Sequence, residues 1–129
     1  MSDAHQFSIH YTVDEARALL PEIKQWLAGL NRLEGRLQES VRKVEELMAG
    51  GQDRGGPVVE TYLELQTEVM SLLNEFQKRQ ILIKDIQRGL IDFPAFIADR
   101  EVFLCWEQGE EDIEFWHDID AGYAGRERL

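Results

Sequence analysis

A seven-residue repeat is the strongest constraint on how this chain can fold. From Ala16 the apolar residues step by three and four through Leu19, Ile23, Trp26, Leu30, Leu33, Leu37, Ser40, Val44 and Leu47, and nine of these ten positions are apolar. A repeat held over five heptads makes a narrow seam against another helix rather than a broad globular face. Leu20, Leu27, Val41 and Met48 widen the seam where more than one neighbour must be covered. Thr12-Val13-Asp14-Glu15 has the spacing of a capping box, so the first helix is predicted over 13–48. Pro21 removes the N–H that would reach the Arg17 carbonyl and predicts a kink or break near 17–21. Gly29 and Gly35 lie off the seam.

Residues 49–56 hold four glycines in eight positions and read as a loop, and Pro57 suits the first turn of a new helix. A second helix is predicted over 57–79 from Val58, Tyr62, Leu65, Val69, Leu72 and Phe76, spaced 4-3-4-3-4. Two matched seams and a short loop give an antiparallel, coiled-coil-like helical hairpin. At 1.5 Å per residue the first helix is about 54 Å long and the second about 34 Å. The second therefore ends opposite roughly residue 25, and Leu19, Leu20 and Ile23 need another cover. The C-terminal third is the part of the chain left to supply it.

That third changes character. Ile81-Leu82-Ile83 opens a β-branched run, Arg88-Gly89 and Asp92-Phe93-Pro94 read as turns, and Glu101–Trp106 and Ile113–His117 read as strands joined by a loop over 108–112. Residues 7–11 alternate apolar and polar like a short strand, and 119–129 reads as a polar surface tail. The expectation is one α+β domain over 1–129: a long helical hairpin capped by a small antiparallel sheet over 81–118, plus the N-terminal strand. Trp26, Trp106 and Trp116 are expected in the core.

Composition narrows the function classes. With 14 Lys+Arg against 25 Asp+Glu the formal net charge is −11, which repels phosphate backbones and argues against nucleic acid. No apolar run is long enough to span a membrane, no secretory signal is visible at the start, and a single cysteine, Cys105, makes the cytoplasm the default location. Gly50-Gly51 and Gly55-Gly56 lack the Lys-Ser/Thr of a phosphate loop.

Residues 101–125 contain eight acids and no Lys or Arg, with Cys105 and His117 among them. If Glu107 faces Ile113 across the hairpin, Cys105 faces Phe115, Phe103 faces His117, and Cys105, Glu107 and His117 share one side of the sheet. A one-residue slip would put Glu114 there instead of His117. Thiolate, imidazole and carboxylate together suit a divalent transition metal such as zinc, iron or nickel, and Asp92 can add an oxygen. The metal reading thus names Asp92, Cys105, Glu107 and His117. Against it stands a plain buried thiol beside a strand-end histidine. A Cys105–His117 nucleophilic pair is disfavoured because acidic neighbours raise a thiol pKa. Arg88 is expected to pair with Asp92, and Arg126 with the acidic strand.

Lys84-Asp85, Arg88-Gly89-Leu90-Ile91-Asp92-Phe93-Pro94, Leu104-Cys105-Trp106, Glu107-Gln108-Gly109-Glu110, Phe115-Trp116-His117-Asp118 and Gly122-Tyr123-Ala124-Gly125-Arg126 together resemble a bacterial family called domain of unknown function twenty-two oh three. Thr12 to Glu22 resembles its N-terminal block. The resemblance implies a small prokaryotic protein, with 84–126 acting as one unit, and supplies no mechanism. The first functional expectation is a self-associating structural or interaction module rather than an enzyme. It would be a homodimer pairing two hairpins into a four-helix bundle, its acidic end meeting a partner. The alternative is a metal-binding protein or metalloenzyme.

Overall fold

The structure, a computed structural model, describes residues 5–51 and 56–129. Residues 52–55 of the glycine-rich loop lie outside the described residues. Helix α1 spans Val13–Ala49 and α2 Gly56–Gln77. They are followed by strands β1 (Leu82–Asp85), β2 (Leu90–Ile97), β3 (Arg100–Glu107) and β4 (Phe115–Asp118), a 3-10 turn at Tyr123–Gly125, and β5 (Glu127–Arg128). The fold is α+β, as the two hydrophobic periods require. No helix among the described residues is long and apolar enough to cross a membrane.

The capping box forms. Thr12 Oγ1 accepts from the Glu15 N–H at 3.1 Å, and the Glu15 carboxylate accepts from the Thr12 N–H at 2.9 Å. Of the kink or break expected at Pro21, no break occurs, and α1 continues through it. Arg17 and Pro21 are both exposed, so the carbonyl that loses its donor faces water. Gly29, read as off the seam, is buried against α2, where an added Cβ would meet Leu72 Cδ1 at 3.0 Å. Gln80 ends α2 in the left-handed region at φ 57, with its N–H on the Gln77 carbonyl and the Ile81 N–H on the Phe76 carbonyl. This is a Schellman cap without glycine.

The five strands form an antiparallel sheet in sequence order. Gly89 turns β1 into β2 at φ 65, where a Cβ would lie 2.6 Å from Gln108 Cβ. The second turn is not at Asp92-Phe93-Pro94, which lies inside β2. It is at Ala98-Asp99, both at positive φ (52 and 64), between strands paired from Leu90↔Glu107 to Ile97↔Arg100. Pro94 is tolerated mid-strand because its carbonyl faces away from β3 and accepts the Tyr11 N–H at 2.8 Å. The absent N–H therefore breaks no β2–β3 bond.

That contact belongs to the N-terminal segment. Residues 7–11 form no strand, because side chains take their amides. Glu101 accepts from the Gln6 and Phe7 N–H groups, and the Gln80 side-chain oxygen accepts from Ser8 and Ile9. The alternation seen there reflects a strap crossing the sheet edge, with Phe7 against Phe103 and Tyr11 against Phe93. Burial alone would raise the Glu101 carboxyl, but the two amides and the His10 ring outweigh it and hold it below its ordinary value.

One face of the sheet, Ile91, Phe93, Ala95, Val102, Leu104 and Trp106, packs on Ala16, Leu20, Ile23, Leu27 and Leu30 of α1. The overhang of the longer helix is thus covered by the sheet, and Trp26 and Trp116 pack at the edge of this core. The opposite face is left for chemistry.

Candidate metal centre

Register decides which side chains meet on that outer face. Asp92 of β2 is paired with Cys105 of β3, which is paired with Phe115 of β4, while Phe103 is paired with His117. Side chains two apart share a face, so each of three adjacent strands contributes one ligand-type residue to the same side. The slipped register, with Glu114 in place of His117, is not formed. Glu114 meets Arg128 at 3.2 Å instead.

Asp92, Cys105 and His117 are 2%, 1% and 3% exposed. One ligand atom from each lies within 4.8 Å of the others. His117 Nδ1 is 2.8 Å from the Asp118 backbone oxygen, which can only accept, so the hydrogen-bond network assigns a proton to Nδ1. Nε2 lies 3.1 Å from both Asp92 oxygens. The Cys105 thiol is pushed up from 9.0 to about 12, first by burial and then by the Asp92 carboxylate. A thiol raised in this way is a poor nucleophile, which weighs against the Cys–His catalytic reading.

The cluster floors a cavity of about 170 Å³. Phe103, Ile119, Ala121 and Tyr123 wall it and Lys84 stands at the rim. The C-terminal tail, read as a plain surface segment, closes over this face. Arg126 Nη2 donates to both Glu110 oxygens (2.8 and 2.6 Å), and the Tyr123 hydroxyl donates to Glu107 at 2.9 Å. Tyr123 lies 4.5 and 4.6 Å from the guanidinium carbons of Arg88 and Arg126.

Of the four ligands named from the sequence, the structure brings together Asp92, Cys105 and His117, but not Glu107. Glu107 shares the face, yet it lies one pleat towards the strand end and its carboxylate is engaged by Arg88 (2.8 Å) and Tyr123. The Arg88 bond is the main cause holding it below its ordinary value. The expected Arg88–Asp92 pair is therefore replaced by Arg88–Glu107, since Asp92 is buried mid-sheet while Arg88 is exposed. The acidic run is largely answered in place. Asp112 meets Arg17, Asp118 meets Arg100 and Glu110 meets Arg126. Lys84 was not among the site residues read from the sequence, because only the fold brings β1 to this cavity.

A family model described as an uncharacterized conserved protein, DUF2203, matches residues 10–129. No curated protein and no solved structure matches the chain.

Proposed function

The chain belongs to the DUF2203 family, whose description names no activity, and from the geometry of its buried cluster we propose that it binds a divalent transition metal through Asp92, Cys105 and His117. The observation carrying this reading is one sulfur, one imidazole and one carboxylate converging, fully buried, on the floor of a cavity. A zinc ion with bonds of about 2.0–2.3 Å spaces its ligands about 3.3–3.7 Å apart, so a side-chain adjustment of about 1 Å closes the set. Thiolate and carboxylate give two negative charges, and a divalent cation makes the buried centre neutral. The Nδ1–H bond to the Asp118 carbonyl turns Nε2 towards the cluster, as an outer-shell partner does for a metal-bound histidine. Three protein ligands leave a coordination position open to the cavity, the pattern of a reactive rather than a closed structural site. The thiolate favours zinc, iron or nickel over magnesium or calcium. A cytoplasmic setting keeps the lone thiol reduced.

Elemental analysis of untagged protein after exposure to zinc, iron(II) and nickel(II) tests this. About one equivalent of one metal is expected in the wild type and below about a tenth in His117→Ala and Cys105→Ser. Glu107→Gln should keep the full equivalent. Metal content unchanged by the first two substitutions, or absent from the wild type, refutes the reading.

A second reading, self-association, is favoured by a different observation. Val59, Leu63 and Met70 of α2 are 38%, 52% and 66% exposed. With Gln66 and the half-buried Leu73 they form a stripe spaced 4-3-4-3. The stripe is self-complementary in an antiparallel pair about a two-fold axis at Gln66, Val59 meeting Leu73 and Leu63 meeting Met70 of a second copy. Light scattering should give twice the 15.0 kDa chain mass, falling to one chain in Leu63→Glu/Met70→Glu. A single-chain mass at every concentration removes the dimer.

A further inference from the structure

We infer that the cavity above Asp92, Cys105 and His117 receives a small carboxylate monoanion, held between the open metal position and the Lys84 ammonium, an inference that rests on the metal reading. Charge points to an anion. Thiolate, carboxylate and divalent metal sum to zero, so Lys84 at the rim leaves the site with one positive charge unanswered. None of the ion pairs among the described residues uses Lys84. Its Nζ lies 5.7 Å over the ring of Phe103, itself a cavity wall and 5.5 Å from the His117 ring. The ammonium thus stands over a ring that walls the cavity, and Lys84 is itself one of the residues lining it.

Size points to a small ligand. At about 170 Å³ the cavity is well below the roughly 300–1,000 Å³ of sites for drug-sized molecules. Polarity separates the two ends of that ligand. The Tyr123 hydroxyl is committed to Glu107, which leaves Lys84 as the cation and the metal as the Lewis acid. Phe103, Ile119 and Ala121 supply an apolar wall for a short aliphatic tail.

The test uses zinc-loaded full-length protein whose metal content is measured before each titration, with acetate and propionate as probes and acetamide as the neutral control, followed by calorimetry. The wild type should bind acetate and propionate and give no heat with acetamide. Lys84→Met should lose at least tenfold in acetate affinity while keeping one equivalent of zinc, and Lys84→Arg should retain most of it. Wild-type protein that takes up no zinc overturns the metal reading and this inference with it. Protein with one equivalent of zinc that ignores acetate, or that binds it equally well as Lys84→Met, overturns the anion inference and leaves the metal reading intact.

Discussion

Metal-free protein given zinc at about a thousand times its dissociation constant is expected to melt about 16 °C higher, from about 4.1 kcal/mol of linkage at roughly 4 °C per kcal/mol for a domain of this size. The shift should vanish on adding a chelator and be absent in Cys105→Ser/His117→Ala. The pH dependence of the two forms should differ in a direction set by Cys105. Its folded pKa, about 12, is raised above the ordinary 9.0 by burial and by Asp92. A group protonated more tightly in the folded state adds stability below its unfolded pKa and loses it as pH rises towards the folded one. Metal-free protein should therefore lose stability between pH 9 and 12. The metal-bound form already holds the thiolate and should not show that loss, so the melting curves diverge through the alkaline range. Because the thiol must surrender its proton to bind, zinc affinity should also rise by about tenfold per pH unit or more near neutrality. Parallel melting profiles with and without zinc would show that Cys105 is no ligand.

What the amino-acid string disclosed depended on whether the deciding forces were local. Thr12 and Glu15 are three residues apart, and the box they form was readable. So was the seam from Ala16 to Leu47, because the 3.6 period ties burial to spacing. The Cys105–Phe115 register was one of two that the sequence left open, and the structure forms it across a loop containing Gly109 at φ 106. The turn at Ala98-Asp99 was not readable. Its left-handed residues carry side chains, each at a penalty of about 1–2 kcal/mol that only the eight-pair β2–β3 ladder makes tolerable. Asp92-Phe93-Pro94 looked like a turn because the surroundings that excuse Pro94, an ended β1 and the Tyr11 amide, come from distant parts of the chain. The same holds for the strap, whose amides are satisfied by Glu101 and Gln80 rather than by a strand. At the centre itself, periodicity placed Cys105, Glu107 and His117 on one face but could not tell which carboxylate turned inward. That choice belongs to Arg88 and Tyr123, which hold Glu107 at the rim and leave Asp92 with His117.

Replacing Asp92 alone by alanine should destabilise the metal-free protein by about 3–5 kcal/mol, the usual penalty for removing one partner of a buried pair. His117, 3% exposed, would lose the carboxylate that faces its Nε2. Asp92→Leu together with His117→Phe should behave differently. Both polar groups then leave, the leucine and phenylalanine extend the apolar wall begun by Phe103, and the double variant should melt at or above the wild-type temperature. A thermal-denaturation cycle over the two singles and the double measures this as a coupling far from additive. If Asp92→Ala proves neutral, the carboxylate is not the buried partner its geometry makes it. The opposed signs carry the functional argument. A double variant that melts at or above the wild type would mean that Asp92 and His117 are not retained for the metal-free fold, which is the outcome the proposed metal site predicts.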